Sequence, residues 1–129
     1  MDRDNGGPID GGLSDQRPQI FRREGEYWTI SYADTTIRVR DAIGIQYVAR
    51  LLAEPHRSFP AGELLSAVTG TSAPDAERAR WAVSKRIRAA VKRIRVHHRS
   101  LGHHLDTCIK TGGHCVYAPD PERPIGWTT

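Results

Sequence analysis

Residues 83–98 read VSKRIRAAVKRIRVHH, and six Lys and Arg side chains fall within the eleven positions from Lys85 to Arg95. Cations at such density bind anions, and a phosphate backbone is the commonest partner for them. Laid out at about 100° per residue, Val83, Ile87, Ala90, Val91 and Ile94 share one side of a helix. Arg78, Trp81, Lys85, Arg88, Lys92 and Arg95 take the opposite side, three or four positions apart, while Arg86 and Arg93 flank the apolar stripe on its second border. A basic face can be no more than a solvated surface, but acids usually dilute such surfaces. Here Glu77 is the only acid in the helix, which favours a binding role. Trp81, at the edge of the stripe, is expected to pack against a neighbouring element rather than to stack on a sugar.

Five histidines (His97, His98, His103, His104, His114) and two cysteines (Cys108, Cys115) lie close behind the basic run. These are zinc-ligand types, but structural zinc sites favour ligand pairs two to four residues apart, and six residues separate the cysteines. A two-residue turn at Gly112-Gly113 would set Cys115 opposite Lys110, with Cys108 diagonal to it. The cysteines therefore read as small buried hydrophobes and the histidines as caps at a helix end, with no metal. Catalysis has little support. None of GxxxxGK[ST], GxSxG or HExxH occurs, and Cys108 with a nearby His lacks a third, orienting group. The expectation is a non-enzyme without a cofactor.

The chain of 129 residues suffices for one core. Its net charge of +4 hides an asymmetry: residues 76–118 carry ten Lys and Arg against two acids, a balance of +8, so the rest sums to −4. No apolar run approaches the roughly 20 residues of a membrane span, and MDRDNGGPID lacks the apolar segment of a secretory signal. A cytoplasmic protein with reduced cysteines is expected. Residues 1–20, rich in Gly, Asp and Pro, read as a disordered leader, residues 21–119 as the domain, and residues 120–129 as a loosely packed tail in which Trp127 can be pinned to the domain.

The elements that would position the basic helix emerge from periodicity. EYWTISYADTTIRVRD alternates, with Trp28, Ile30 and Tyr32 on one side and Tyr27, Thr29 and Ser31 on the other, and reads as an antiparallel hairpin turning at Ala33-Asp34. DAIGIQYVARLLAEP is a helix of about three turns, with Asp41 as N-cap and Pro55 as stop. HRSFPAGELLSAVTG is a shorter helix, entered between Ser58 and Pro60 and closed by Gly70. With Ser72 or Asp75 as cap, the long helix runs from Ala76 to His98 and is broken by Gly102. LDTCIKTGGHCVYAP then gives two strands around Gly112-Gly113.

Three helices and then a β-hairpin resemble a winged helix-turn-helix, and the additional N-terminal hairpin resembles the response-regulator output domains of the OmpR/PhoB type. LLAEPHRSFPAGELLSAVTG is similar to that family's passage from first to second helix, and LDTCIKTGGHCVYAP to its wing. The longer basic helix and His114-Cys115 depart from the pattern. FRREGEYWTI and YAPDP also resemble C-terminal segments of large predicted bacterial ATPases and transcription regulators. The first resemblance implies an α+β winged helix-turn-helix: N-terminal β-hairpin, three helices and a C-terminal hairpin as wing. It also implies sequence-specific binding of double-stranded DNA in bacterial transcription regulation, with helix 76–98 in the major groove and wing 106–118 beside it.

Under that reading Arg78, Lys85 and Arg88 face base edges. Lys92, Arg93, Arg95 and Arg99 meet phosphate, and Arg86 reaches sugar-phosphate from the flank. Lys110, Thr111, Gly112, Gly113 and His114 form the wing tip. A homodimer is compatible with the pattern. The alternative is a protein-interaction module that docks on RNA polymerase, an ATPase or another protein.

Overall fold

A computed structural model of the chain describes residues 19–123 and 125–129. These residues form an α+β fold with four helices and two small sheets. Strands β1 (Gln19–Glu24), β2 (Tyr27–Tyr32) and β3 (Thr35–Arg40) make an antiparallel meander. Tyr32 pairs with Thr35 across a two-residue turn whose residues Ala33 and Asp34 both have positive φ, 49° and 68°. That is the geometry that matches the right-handed twist of the flanking strands. The alternation in the sequence places Trp28 and Ile30 inward as expected, with Phe21 and Val39 beside them.

Strand β1 is an addition to the expected hairpin. It begins at Gln19, so the last two residues of the expected leader are in a strand, while residues 1–18 lie outside the described residues. Its only apolar residues are Ile20 and Phe21, too few to produce an alternating signal. The tail also differs from expectation. Strand β7 (Trp127–Thr128) pairs in parallel with β1 and completes a four-stranded sheet in the order β3-β2-β1-β7.

Helix α1 (Ile43–Ala53) buries Ile45, Val48, Leu51 and Leu52. Asp41 does not cap it. Ala42 holds that position without a side-chain cap. The Asp41 carboxylate turns back to accept from Trp28 Nε1 at 2.8 Å and Gln46 Nε2 at 3.0 Å, and it pairs with Arg23 at 2.9 Å. The indole N–H of buried Trp28 needs an acceptor, and Asp41 supplies it. Strand β4 (Phe59–Pro60) leads into α2 (Ala61–Thr69), which Gly70 closes in the left-handed region at φ 75°.

Helix α3 (Ala76–His97) starts at Asp75, whose side chain accepts from the Arg78 backbone N–H. Its bounds and its buried stripe of Val83, Ile87, Ala90, Val91 and Ile94 match those expected from the sequence. The next segment does not. Gly102 breaks nothing, because the helix ends at His98 and a fourth helix, α4 (Arg99–Cys108), runs through the glycine. A Cβ at Gly102 would lie 2.4 Å from Arg95 Cβ, so the glycine is there to let α4 lie against α3.

His98 makes the joint. Its backbone N–H donates to Ile94 O, its Nδ1 accepts from the Leu101 N–H at 3.3 Å, and its Nε2 donates to Tyr32 O at 2.8 Å. A histidine does therefore cap a helix end, and it also ties both helices to the meander.

Because α4 occupies residues 99–108, the C-terminal hairpin is shorter than the expected 106–118: β5 (Ile109–Lys110) and β6 (His114–Tyr117). Its register also differs by one residue. Lys110 pairs with Val116, not Cys115, so five residues, Thr111 to Cys115, separate the paired ends instead of the four that a two-residue turn would leave. Strand β4 pairs with the other edge of β6, Phe59 opposite Cys115, giving a second sheet in the order β4-β6-β5. Cys115 is fully buried there, and Cys108 is half-buried at the end of α4.

Candidate nucleic-acid interface

The cations of α3 do not all lie in one place. Toward the hairpin, Lys85 and Arg88 line an open groove of about 490 Å³ with Glu77, Arg80, Trp81 and Ser84 from α3 and Thr111 and Gly112 from the hairpin tip. Arg88 Nη2 donates to Thr111 Oγ1 at 3.4 Å, which bridges helix and tip. The tip itself is anchored: the Ala61 N–H donates to Gly113 O at 2.9 Å. Gly112 sits at φ 145°, a conformation that favours glycine. Lys110 and His114 are exposed on the two hairpin strands. A second cleft below the tip runs between Ile87, Arg88 and Val91 of α3 and Leu105, Asp106 and Lys110.

At the other end of α3, Arg95 and Arg99 border a shallow depression with His97, His103 and Thr35 at the α3–α4 joint. Lys92 is exposed between the two sites, and Arg78 is exposed in the first turn. Arg86 and Arg93 point elsewhere. Arg93 Nη2 donates to Arg40 O at the end of β3, 3.2 Å away, and Arg86 lies close enough to Tyr47 of α1 to act on its phenol electrostatically. A Cβ on Gly44 of α1 would lie 2.2 Å from Arg86 O, so this side of α3 is where α1 docks. Both guanidinium groups remain exposed, but they do not join Lys85 and Arg88 in the groove.

Among the described residues, the ion pairs are Arg23–Asp41, Arg40–Glu26, Arg57–Glu54 and Arg80–Glu77, so Arg80 is the one α3 cation neutralised by an acid. The face is left cationic.

Trp81 contradicts its expectation. Its side chain is 66% exposed, packs under no neighbouring element, and carries Lys85 Nζ at 4.7 Å from the ring centroid. The sequence did contain the signal: Trp81 lies four residues before Lys85 on the polar side of the wheel.

The histidines and cysteines do not converge. Among the described residues no three His, Cys, Asp or Glu side chains are grouped as a metal site would require. His104 belongs instead to an aromatic cluster behind the interface, where Tyr32 stacks on both His104 and Trp127 at 5.4 and 5.9 Å. Trp127 Nε1 donates to Tyr117 Oη at 3.1 Å, Tyr117 Oη is hydrogen-bonded to His104 Nε2 at 2.7 Å, and His104 Nδ1 faces Cys108 Sγ at 3.7 Å. Burial pushes the Tyr117 phenol up to about 12 and lowers the His104 imidazole below its usual range, which keeps both neutral. Burial also raises the Cys108 thiol, and with it the cost of a nucleophilic thiolate.

Among the described residues no helix is long and apolar enough to cross a membrane. No family model matches the chain, and neither does any curated protein or any solved structure.

Proposed function

We propose that the chain is a winged helix-turn-helix of the OmpR/PhoB output type that binds double-stranded DNA and regulates transcription in the bacterial cytoplasm. Helix α3 enters the major groove, and the 109–117 hairpin serves as the wing. The order meander, α1, β4, α2, α3, hairpin supports this reading, as does the pairing of β4 with the hairpin. Helix α4, inserted between the reading helix and the wing, is a departure from the simplest plan.

One observation carries the proposal: Lys85 and Arg88 share a single groove with the glycine-containing tip, on a helix face where Arg80 is the one cation paired to an acid among the described residues. A helix about 22 residues long, with cations on its outward side and a ribbon tip beside its middle, can place side chains on base edges and phosphates together. Arg78, Lys85 and Arg88 are assigned to base edges, and Lys92, Arg95 and Arg99 to phosphate. Lys110, Thr111 and His114 lie beside the adjacent backbone. Arg86 and Arg93, on the α1 side, support the flank.

The test is a salt titration against random duplex DNA. Log affinity is expected to fall linearly with log salt, with a slope of about −0.9 for each phosphate neutralised. A flat or absent response sinks the DNA reading and leaves a module that docks on a protein such as RNA polymerase or an ATPase.

A further inference from the structure

An indole two-thirds exposed on a basic helix is apolar surface left largely in water. Trp81 does not stand on open surface but forms part of the wall of the α3–tip groove, with Lys85 over its ring and Arg88 one turn beyond. The volume of about 490 Å³ lies within the 300–1,000 Å³ typical of sites for small organic ligands. A space of that size can take one nucleotide unstacked from a duplex lying along the helix. Ser84, on the same wall, holds a buried hydroxyl with no hydrogen-bond partner among the described residues. After rotation about χ1, a polar edge brought into the groove would satisfy it.

Resting on the DNA reading above, we propose that Trp81 is a stacking platform for one unstacked base of the bound DNA, with Lys85 and Arg88 lining the same groove and the exposed Lys92 on the flanking phosphate. Aromatic stacking together with cations on the flanking backbone is how proteins hold unpaired nucleotides irrespective of base identity. Site selection then includes the ease with which one base leaves the stack, a property of mismatched or flexible steps rather than of hydrogen-bond pattern.

The experiment compares three labelled DNAs by anisotropy on the full chain: a perfect duplex, the same duplex with one unpaired base, and the corresponding single strand. The unpaired-base duplex is expected to bind more tightly than the perfect one. Trp81→Ala should lower affinity for the unpaired-base duplex by about 5- to 100-fold while leaving the perfect duplex within about twofold, and Trp81→Phe should retain most of the preference. Equal affinity of the wild type for both duplexes overturns the platform but not the DNA reading, as does an equal loss on both in Trp81→Ala. Tightest binding to the free single strand, lost in Trp81→Ala, supports stacking and overturns the restriction to a base within a duplex. No binding to any of the three overturns both.

Discussion

Arg88 and Lys92 stand one turn apart on the exposed side of α3, yet their surroundings differ. The Arg88 guanidinium donates to Thr111 Oγ1 at 3.4 Å across the groove, and its planar fork can meet two acceptors on one base. Lys92 lies beyond the groove, an exposed point charge that no partner among the described residues aims. Arg88→Ala is therefore expected to relax base preference at one position by about 1–3 kcal/mol, measured by binding to a panel of single-position variants of a selected site. Unchanged affinity across the panel refutes the role. Lys92→Ala is expected to weaken binding to every sequence alike and to reduce the salt slope by about one. A loss confined to one sequence contradicts a phosphate contact.

At the scale of elements, α3 was legible because its apolar residues repeat at helical spacing over many turns and Asp75 offers a cap just before them. Its partner α4 was not. Glycine inside a polar stretch reads as a stop, and only the tertiary approach of Arg95 explains why Gly102 lies within a helix. The same blindness moved the hairpin: assigning residues 106–108 to a strand and Gly112-Gly113 to a two-residue turn shifted every cross-strand pair by one. The basic face of the candidate site was visible in the sequence, but the turning away of Arg86 and Arg93 depends on where α1 docks, through Gly44, a long-range contact.

The packing role assigned to Gly102 has a sharp consequence. Gly102→Ala must push a methyl into the Arg95 backbone and side chain, so a loss of about 1–3 kcal/mol is expected, with a fall in Tm of roughly 5 °C or more. Gly113→Ala, where a Cβ meets nothing within 4 Å, is the control expected to stay within about 0.5 kcal/mol. Equal Tm for the two variants would refute close packing of α4 on α3.

For the molecule as a whole, the two sheets and α4 meet in one place. Tyr32 from β2, His104 from α4, Tyr117 from β6 and Trp127 from β7 form a single stacked and hydrogen-bonded cluster, so the C-terminal strand ties the meander to the hairpin that carries the tip. Burial disfavours the charged imidazole of His104, so the folded chain holds it neutral while the unfolded chain takes up a proton near pH 6.5. Above that pH the two states bind the same number of protons at this site and nothing is lost. As pH falls below about 6.5 the unfolded state is protonated first, and stability declines until the lowered folded value is reached.

Tyr117 acts at the opposite extreme. Its raised phenol keeps its contribution intact below pH 10 and loses it as pH climbs toward about 12. Thermal melts from pH 8 to pH 5 should therefore fall more steeply for the wild type than for His104→Gln, which keeps an amide to meet Tyr117 Oη but has no proton to gain. Parallel curves would mean that the cluster tolerates a charged His104. In that case the link between the tail and the tip would not be the acid-sensitive joint that its burial requires.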